Sequence, residues 1–160
     1  MLRSRFFIFA GLILALVSFS SCEDNSLYDE NRDINEGVWD MNQKLSFDFD
    51  VPDTVTKYNL YFNIRNTDDY QFRNIYVFFK TTFPNGKTSV DTVEFPLADP
   101  VDGRWYGKGQ GDVHDCRLVF RQGVRFALPG NYHMEVEQAM RMEQLPGVLS
   151  AGIRIERAEE

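Results

Sequence analysis

This chain has few of the residues on which most protein chemistry depends. It holds two cysteines and two histidines in 160 residues. His114 and His133 have no second ligand near them at zinc spacing, and no serine sits in a nucleophile-elbow pattern, which argues against a zinc centre and a histidine-centred hydrolase. Positive charge is also short, since 17 Lys and Arg face 24 Asp and Glu. That balance argues against a nucleic-acid partner and against adsorption to anionic lipid through basic patches. No segment keeps the 3.6-residue period of an amphipathic helix over a useful length, and there is no internal repeat or low-complexity run. No apolar run reaches the ~20 residues needed to cross a bilayer core as a helix.

The longest apolar run, Phe6 to Val17, lies behind Arg3 and Arg5 and ahead of Phe19-Ser20-Ser21-Cys22. A positive n-region, a short apolar stretch and small residues form a secretory signal peptide. Small residues directly before a cysteine resemble the lipobox of bacterial lipoproteins, although Phe19 is bulkier than is usual three places before the lipidated residue. On this reading residues 1–21 are removed, and Cys22 becomes an acylated first residue carrying chains of the palmitate type. An ordinary signal peptide cut near Ser21 would instead leave the cysteine incidental. Each buried methylene contributes ~0.8 kcal/mol, so two or more acyl chains hold a protein where one is marginal.

Removing Arg3 and Arg5 leaves 15 basic against 24 acidic residues, nine net negative charges on residues 22–160. That length suits one domain with its own core. Cys116 is left without an intrachain partner, so stability must come from packing. It shares parity with Leu118 and Phe120, which makes it a small buried apolar residue rather than a nucleophile. Residues 22–42 are polar and acidic, with scattered Tyr28 and Trp39, and read as a tether between lipid and fold. Residues 43–160 read as the folded domain.

The domain is written in period two. Leu45, Phe47, Phe49 and Val51 alternate with polar neighbours, as do Tyr58, Leu60, Phe62 and Ile64. Ile75, Val77, Phe79 and Phe83 make a third face, and Tyr76 and Phe78 on its reverse side predict a central strand covered on both faces. Pro84-Asn85-Gly86 marks a hairpin. Further strands place Val93, Phe95 and Leu97 inward, then Cys116 to Phe120, then Tyr132, Met134 and Val136, then Ala151, Ile153 and Ile155. Residues 140–145 are expected to be a loop with a helical turn. Seven or eight short strands punctuated by Asp102-Gly103, Pro129-Gly130 and Pro146-Gly147 predict a single antiparallel β-sandwich, with a jelly roll among the candidate arrangements.

Candidate chemistry is sparse. Asp91, Asp99, Asp102, Asp112 and Asp115 are hard oxygen ligands of the type calcium takes, but they match no EF-hand spacing, and solvated loop acids are the commoner reading. Paired carboxylates could also serve glycoside hydrolysis, which depends on a separation no sequence gives. Gly107-Lys108-Gly109-Gln110-Gly111-Asp112 is no phosphate loop, because Lys108 is misplaced and strand rather than helix surrounds it. Its glycines point to unusual dihedrals or close backbone approach at a sandwich end. Trp105 and Tyr106 just before it are either an aromatic platform or plugs of the core rim.

Several runs in this order carry a resemblance. They are Thr81-Thr82-Phe83-Pro84-Asn85-Gly86-Lys87, Asp91-Thr92, Phe95-Pro96-Leu97-Ala98-Asp99 and Gly103-Arg104-Trp105-Tyr106-Gly107-Lys108-Gly109-Gln110-Gly111-Asp112. Asn63-Ile64-Arg65-Asn66 precedes them; Gln138-Ala139-Met140-Arg141, Leu145-Pro146-Gly147 and Gly152-Ile153-Arg154-Ile155-Glu156 follow. Together they resemble the gliding motility lipoprotein GldH family of the Bacteroidetes, over nearly all of residues 22–160. A cysteine at position 116 departs from the bulkier residue expected there.

The resemblance implies an accessory lipoprotein that assembles or stabilises the gliding motility and type IX secretion machinery. It would sit in the cell envelope, on the outer membrane facing the periplasm. Its partners would be other motility or secretion lipoproteins and proteins. The family offers no catalytic residues, so only lipidation at Cys22 carries over, and neither an enzyme nor a cofactor other than the covalent lipid is expected. Trp105, Tyr106, Met140 and Arg141 are the candidate partner contacts, since aromatic residues, Met and Arg are enriched at interfaces. The competing class is a glycan-binding sandwich that uses Trp105 and Tyr106 or the exposed face of the Tyr61 strand.

Overall fold

The computed structural model describes residues 25–159. The lipidation site expected at Cys22 lies outside them. The alternating segments form the expected strands: β3 (Leu45–Val51), β4 (Tyr58–Thr67), β5 (Asn74–Thr82), β6 (Thr88–Pro96), β8 (Val113–Val124), β9 (Gly130–Gln138) and β11 (Val148–Arg157). β3 alternates strictly between buried and exposed, and β9 from Tyr132 onward between buried and half-buried, as a pleat with one wet face requires. Four further strands are added, β1 (Ser26–Asp33), β2 (Val38–Asp40), β7 (Lys108–Gln110) and β10 (Gln144–Pro146).

One sheet runs β1-β11-β4-β8-β7 and the other β3-β9-β5-β6, while β2 and β10 form a short ribbon. Every pairing is antiparallel. The two large sheets pack through aromatic rings. Phe62 of β4 stacks on Phe95 of β6 at 5.0 Å and meets Phe79 of β5 edge-on at 5.8 Å, and Phe79 stacks on Phe120 of β8 at 4.3 Å. Phe47, Phe62, Phe79 and Tyr132 are fully buried. Burial of side chains this large is what holds the domain together, with no disulfide among the described residues.

Three expectations are corrected. Residues 26–40 do not belong to a tether. β1 pairs along β11 from Ser26 opposite Glu156 to Asp33 opposite Ser150, and Trp39 of β2 is fully buried, its indole N–H donating to the Gln43 carbonyl at 3.0 Å. The segment hides its strand character because a register shift between Ser26 and Tyr28 breaks the alternation, and because an edge strand can keep a polar outer face. The second correction concerns β5, which is central but covered on one face only. Tyr76 and Phe78 remain 39% and 41% exposed. The third is that residues 140–145 contain no helical turn; Gln144–Pro146 becomes β10 on β2. Here the buried Gln138 side chain shapes the loop, accepting from Met140 N–H and donating to the Met142 carbonyl.

The hairpin at Phe83 to Lys87 forms as its residues predict. Phe83 N–H donates to the Lys87 carbonyl at 2.8 Å and Gly86 N–H to the Phe83 carbonyl at 2.9 Å, with Gly86 at φ 78°. A type I turn closed by a glycine in the left-handed region is a standard three-residue hairpin loop.

Candidate functional site

Trp105 is a half-buried bracket rather than an open platform. It follows a loop that caps itself: the Asp99 carboxylate accepts from the N–H groups of Val101 and Asp102, which holds that carboxyl below the usual aspartate range. A single bridge between Ala98 and Trp105 closes the loop. The Trp105 ring stacks on His114 at 5.3 Å, and its indole N–H donates to Asp68 Oδ1 at 3.1 Å. The same oxygen lies 2.8 Å from His114 Nε2. The hydrogen bond from His114 is the main cause that holds the Asp68 carboxyl below its usual range.

Tyr106 points elsewhere. Nearly half exposed, it borders an open groove of ≈ 700 Å³ on the outer face of the five-stranded sheet, with Asp29, Arg65, Lys108, Asp115 and Arg117. These charges largely satisfy one another. Arg65 grips Asp115 at 2.6 and 3.3 Å, and Arg154 reaches Asp29 at 2.5 Å. The glycine-rich run beside Tyr106 is strand β7 lying close on β8. A Cβ on Gly109 would fall 1.6 Å from the Val113 carbonyl oxygen, and one on Gly107 would fall 2.7 Å from Cys116 Sγ. Close approach therefore explains both glycines, while Gly111 supplies the positive φ of 69° at the turn. Cys116 lies beneath, its thiol pushed up to about 11 mainly by burial.

Met140 and Arg141 border a second hollow, of ≈ 560 Å³, together with Phe72, Tyr76, Ala139 and Met142. Met140 Sδ accepts from Tyr76 N–H at 3.3 Å, so the thioether is fixed against β5. The four candidate contacts are thus not one patch. Tyr106 belongs to the polar groove, Met140 and Arg141 to the apolar hollow, and Trp105 lies between through Tyr70, whose ring is 6.4 Å from Trp105 and 5.8 Å from Phe72. Sequence reasoning passed over Phe72 and read Tyr76 as covered. Its signal was the pair Tyr76 and Phe78 at outward parity.

The five candidate calcium ligands are dispersed, and four of them are engaged. Asp91 pairs with Arg121 at 2.8 Å, Asp115 with Arg65, and Asp99 and Asp102 accept from backbone N–H groups of their own loop. Among the described residues no three His, Cys, Asp or Glu side chains come together as a metal site.

Residues 26–155, from the first residue of β1 nearly to the end of β11, match the family model described as GldH lipoprotein. The chain belongs to the GldH lipoprotein family. It is 34% identical over 165 residues to the "Gliding motility lipoprotein GldH homolog" of Christiangramia forsetii, covering 99% of each chain. It is 32% identical over 155 residues to "Gliding motility lipoprotein GldH" of Flavobacterium johnsoniae, covering 92% of this chain and 95% of that one. In this GldH-family chain the match begins at β1, in agreement with the place of residues 26–40 inside the sandwich.

Proposed function

We propose that this gliding-motility-family lipoprotein is a non-catalytic assembly module, held at the envelope membrane by acyl chains on Cys22 and acting through protein contacts. The observation that carries this reading is the apolar hollow formed by Phe72, Tyr76, Met140 and Met142 with the exposed Arg141 at its rim. Aromatic and Met side chains with a neighbouring Arg are the composition of an interface core, and the charges of the other groove are mostly spent on one another. Confinement of the domain to a membrane raises its concentration near partners there, so modest contacts are enough. We place it on the outer membrane facing the periplasm, among components of the gliding and type IX secretion machinery.

The test is in-cell crosslinking and affinity capture of the tagged full-length protein, with Cys22→Ser and with Met140→Ala plus Arg141→Ala. Recovery of motility or secretion components, weakened in both variants, supports the module; equal recovery from the double variant removes the hollow from the account. The glycan reading keeps one specific observation, the exposed Tyr106 ring beside polar groove residues. It requires saturable binding of an envelope polysaccharide that Tyr106→Ala abolishes.

A further inference from the structure

The four-stranded sheet ends at β6, which has β5 on one side and, among the described residues, no strand on the other. β6 is nine residues long, its register with β5 is unbroken from Thr88 to Pro96, and four of its residues are Thr or Val. The hairpin fixes which backbone groups are spent. Because Phe83 N–H bonds to the Lys87 carbonyl, the hydrogen-bonded pairs of this ladder are Thr81 with Ser89, Phe79 with Asp91, Val77 with Val93 and Ile75 with Phe95. The N–H and C=O groups of Thr88, Val90, Thr92 and Glu94 therefore face away from β5, along the open side. Pro96, which has no N–H to give, sits in the same outward set.

Exposed edges of this kind are usually blunted by a bulge, a short strand, an inward charge or a lysine; between Thr88 and Glu94 β6 has no bulge and no lysine, and its one inward charge, Asp91, is neutralised by Arg121 of β8 at 2.8 Å. The side chains of the outward set lie on the solvent face beside Tyr76 and Phe78. Val90 is 62% exposed there. Among the described residues the Glu94 carboxylate accepts from neutral groups, the Asn74 amide at 2.6 Å and the Tyr76 hydroxyl at 2.7 Å, and no cation lies on it.

We propose that β6 is a strand-addition site, where an extended segment of an envelope partner continues the four-stranded sheet as a fifth strand. Once a partner covers this edge and excludes water, a row of unpaired backbone groups is satisfied along its length by another extended backbone, which fixes the form of the occupant. Its chemistry follows from the surface it meets: alternate apolar side chains beside Val90 and a Lys or Arg within reach of Glu94. Nine net negative charges on each mature chain select such a basic segment over a second copy. The proposal rests on the reading of this domain as an assembly module and names the geometry of one of its contacts.

The test uses the full-length protein in cells, with a photocrosslinking residue at Val90 and, separately, at Met140. Crosslinked peptides are sequenced in wild type, Thr92→Pro and Glu94→Lys backgrounds. Thr92→Pro removes an outward donor and leaves the β5 ladder whole, as Pro96 already does at the strand end. The expected result is a crosslink from Val90 to one basic, alternating segment, reduced at least tenfold by Thr92→Pro with the melting temperature of the purified protein unchanged. Glu94→Lys, a surface change, is expected to reduce it as well and decides the matter if Thr92→Pro does not fold. Strand addition is overturned by an unchanged crosslink in the folded variants, by a crosslink to β6 of a second copy, or by capture from Met140 with none from Val90. Silence from both positions sinks the assembly reading itself, and strand addition with it.

Discussion

Asp68 Oδ1 stands 2.8 Å from His114 Nε2 while accepting the Trp105 indole N–H, so one carboxylate oxygen ties together the β4–β5 loop, the long loop before β7, and β8. The bond to His114 is the largest cause of the lowered Asp68 pKa. A lowered carboxylate binds fewer protons in the native state than in the unfolded one. Its contribution is therefore present above the unfolded value of ~3.9 and is lost as pH falls through the lower folded value. Trp105 fluorescence should change across that acid window in wild type and not in Asp68→Asn. Trp39 is fully buried and stays a constant background. A change of equal size in Asp68→Asn would detach the bracket from Asp68.

Replacement of the glycines around β7 by alanine should give a graded series. Gly109→Ala places a methyl 1.6 Å from the Val113 carbonyl oxygen, which only backbone movement relieves, and a loss of at least ~2–3 kcal/mol is expected. Gly107→Ala meets Cys116 Sγ at 2.7 Å and also the Asp115 backbone, and should cost somewhat less. Gly111→Ala meets nothing within 4 Å, but its φ is 69°, so the cost is about 1–2 kcal/mol. Urea unfolding of the three variants gives the order; Gly111→Ala as the worst of the three would contradict the packing of β7 on β8.

Cys116 should be inert in the folded protein. With its thiol pushed up to about 11, only about one part in a thousand is thiolate at pH 8, and the group is 6% exposed beneath Gly107. Alkylation by iodoacetamide at pH 8 should wait on opening of the structure, and should accelerate at least a hundredfold in denaturing urea. Fast native labelling would place the sulfur at the surface.

Strands that bury one face were legible, because Leu45 to Val51 or Tyr132 to Val136 carry the alternation that a half-wet pleat imposes. What escaped were strands held by pairing rather than by pattern. β7 is three exposed residues that stay in place because their glycines admit close approach, and β10 is three residues whose partner lies about a hundred positions away in β2. The candidate contacts were legible as residue types and not as a surface. Met140 and Trp105 look alike as interface residues in sequence, but Asp68 and His114 immobilise one, and Tyr76 brings the other to the rim of a hollow.

The place of residues 26–40 is the sharpest difference between sequence and structure, and one side chain decides it. If the segment were a tether, Trp39→Ala would alter solubility and leave stability untouched. In the sandwich Trp39 is fully buried on β2, which β10 joins through Leu145 opposite Trp39, itself also fully buried. Truncating a buried tryptophan costs about 3–5 kcal/mol, a large part of the 5–15 kcal/mol that holds a domain folded. Trp39→Ala should therefore lower the urea midpoint sharply, and Trp39→Phe, which keeps much of the apolar volume, should lower it less. The exposed Met41 two residues on serves as the comparison, and Met41→Ala should stay within ~0.5 kcal/mol of wild type. Equal, small effects at both positions would return the segment to the status of a linker and leave β11 as the edge of its sheet.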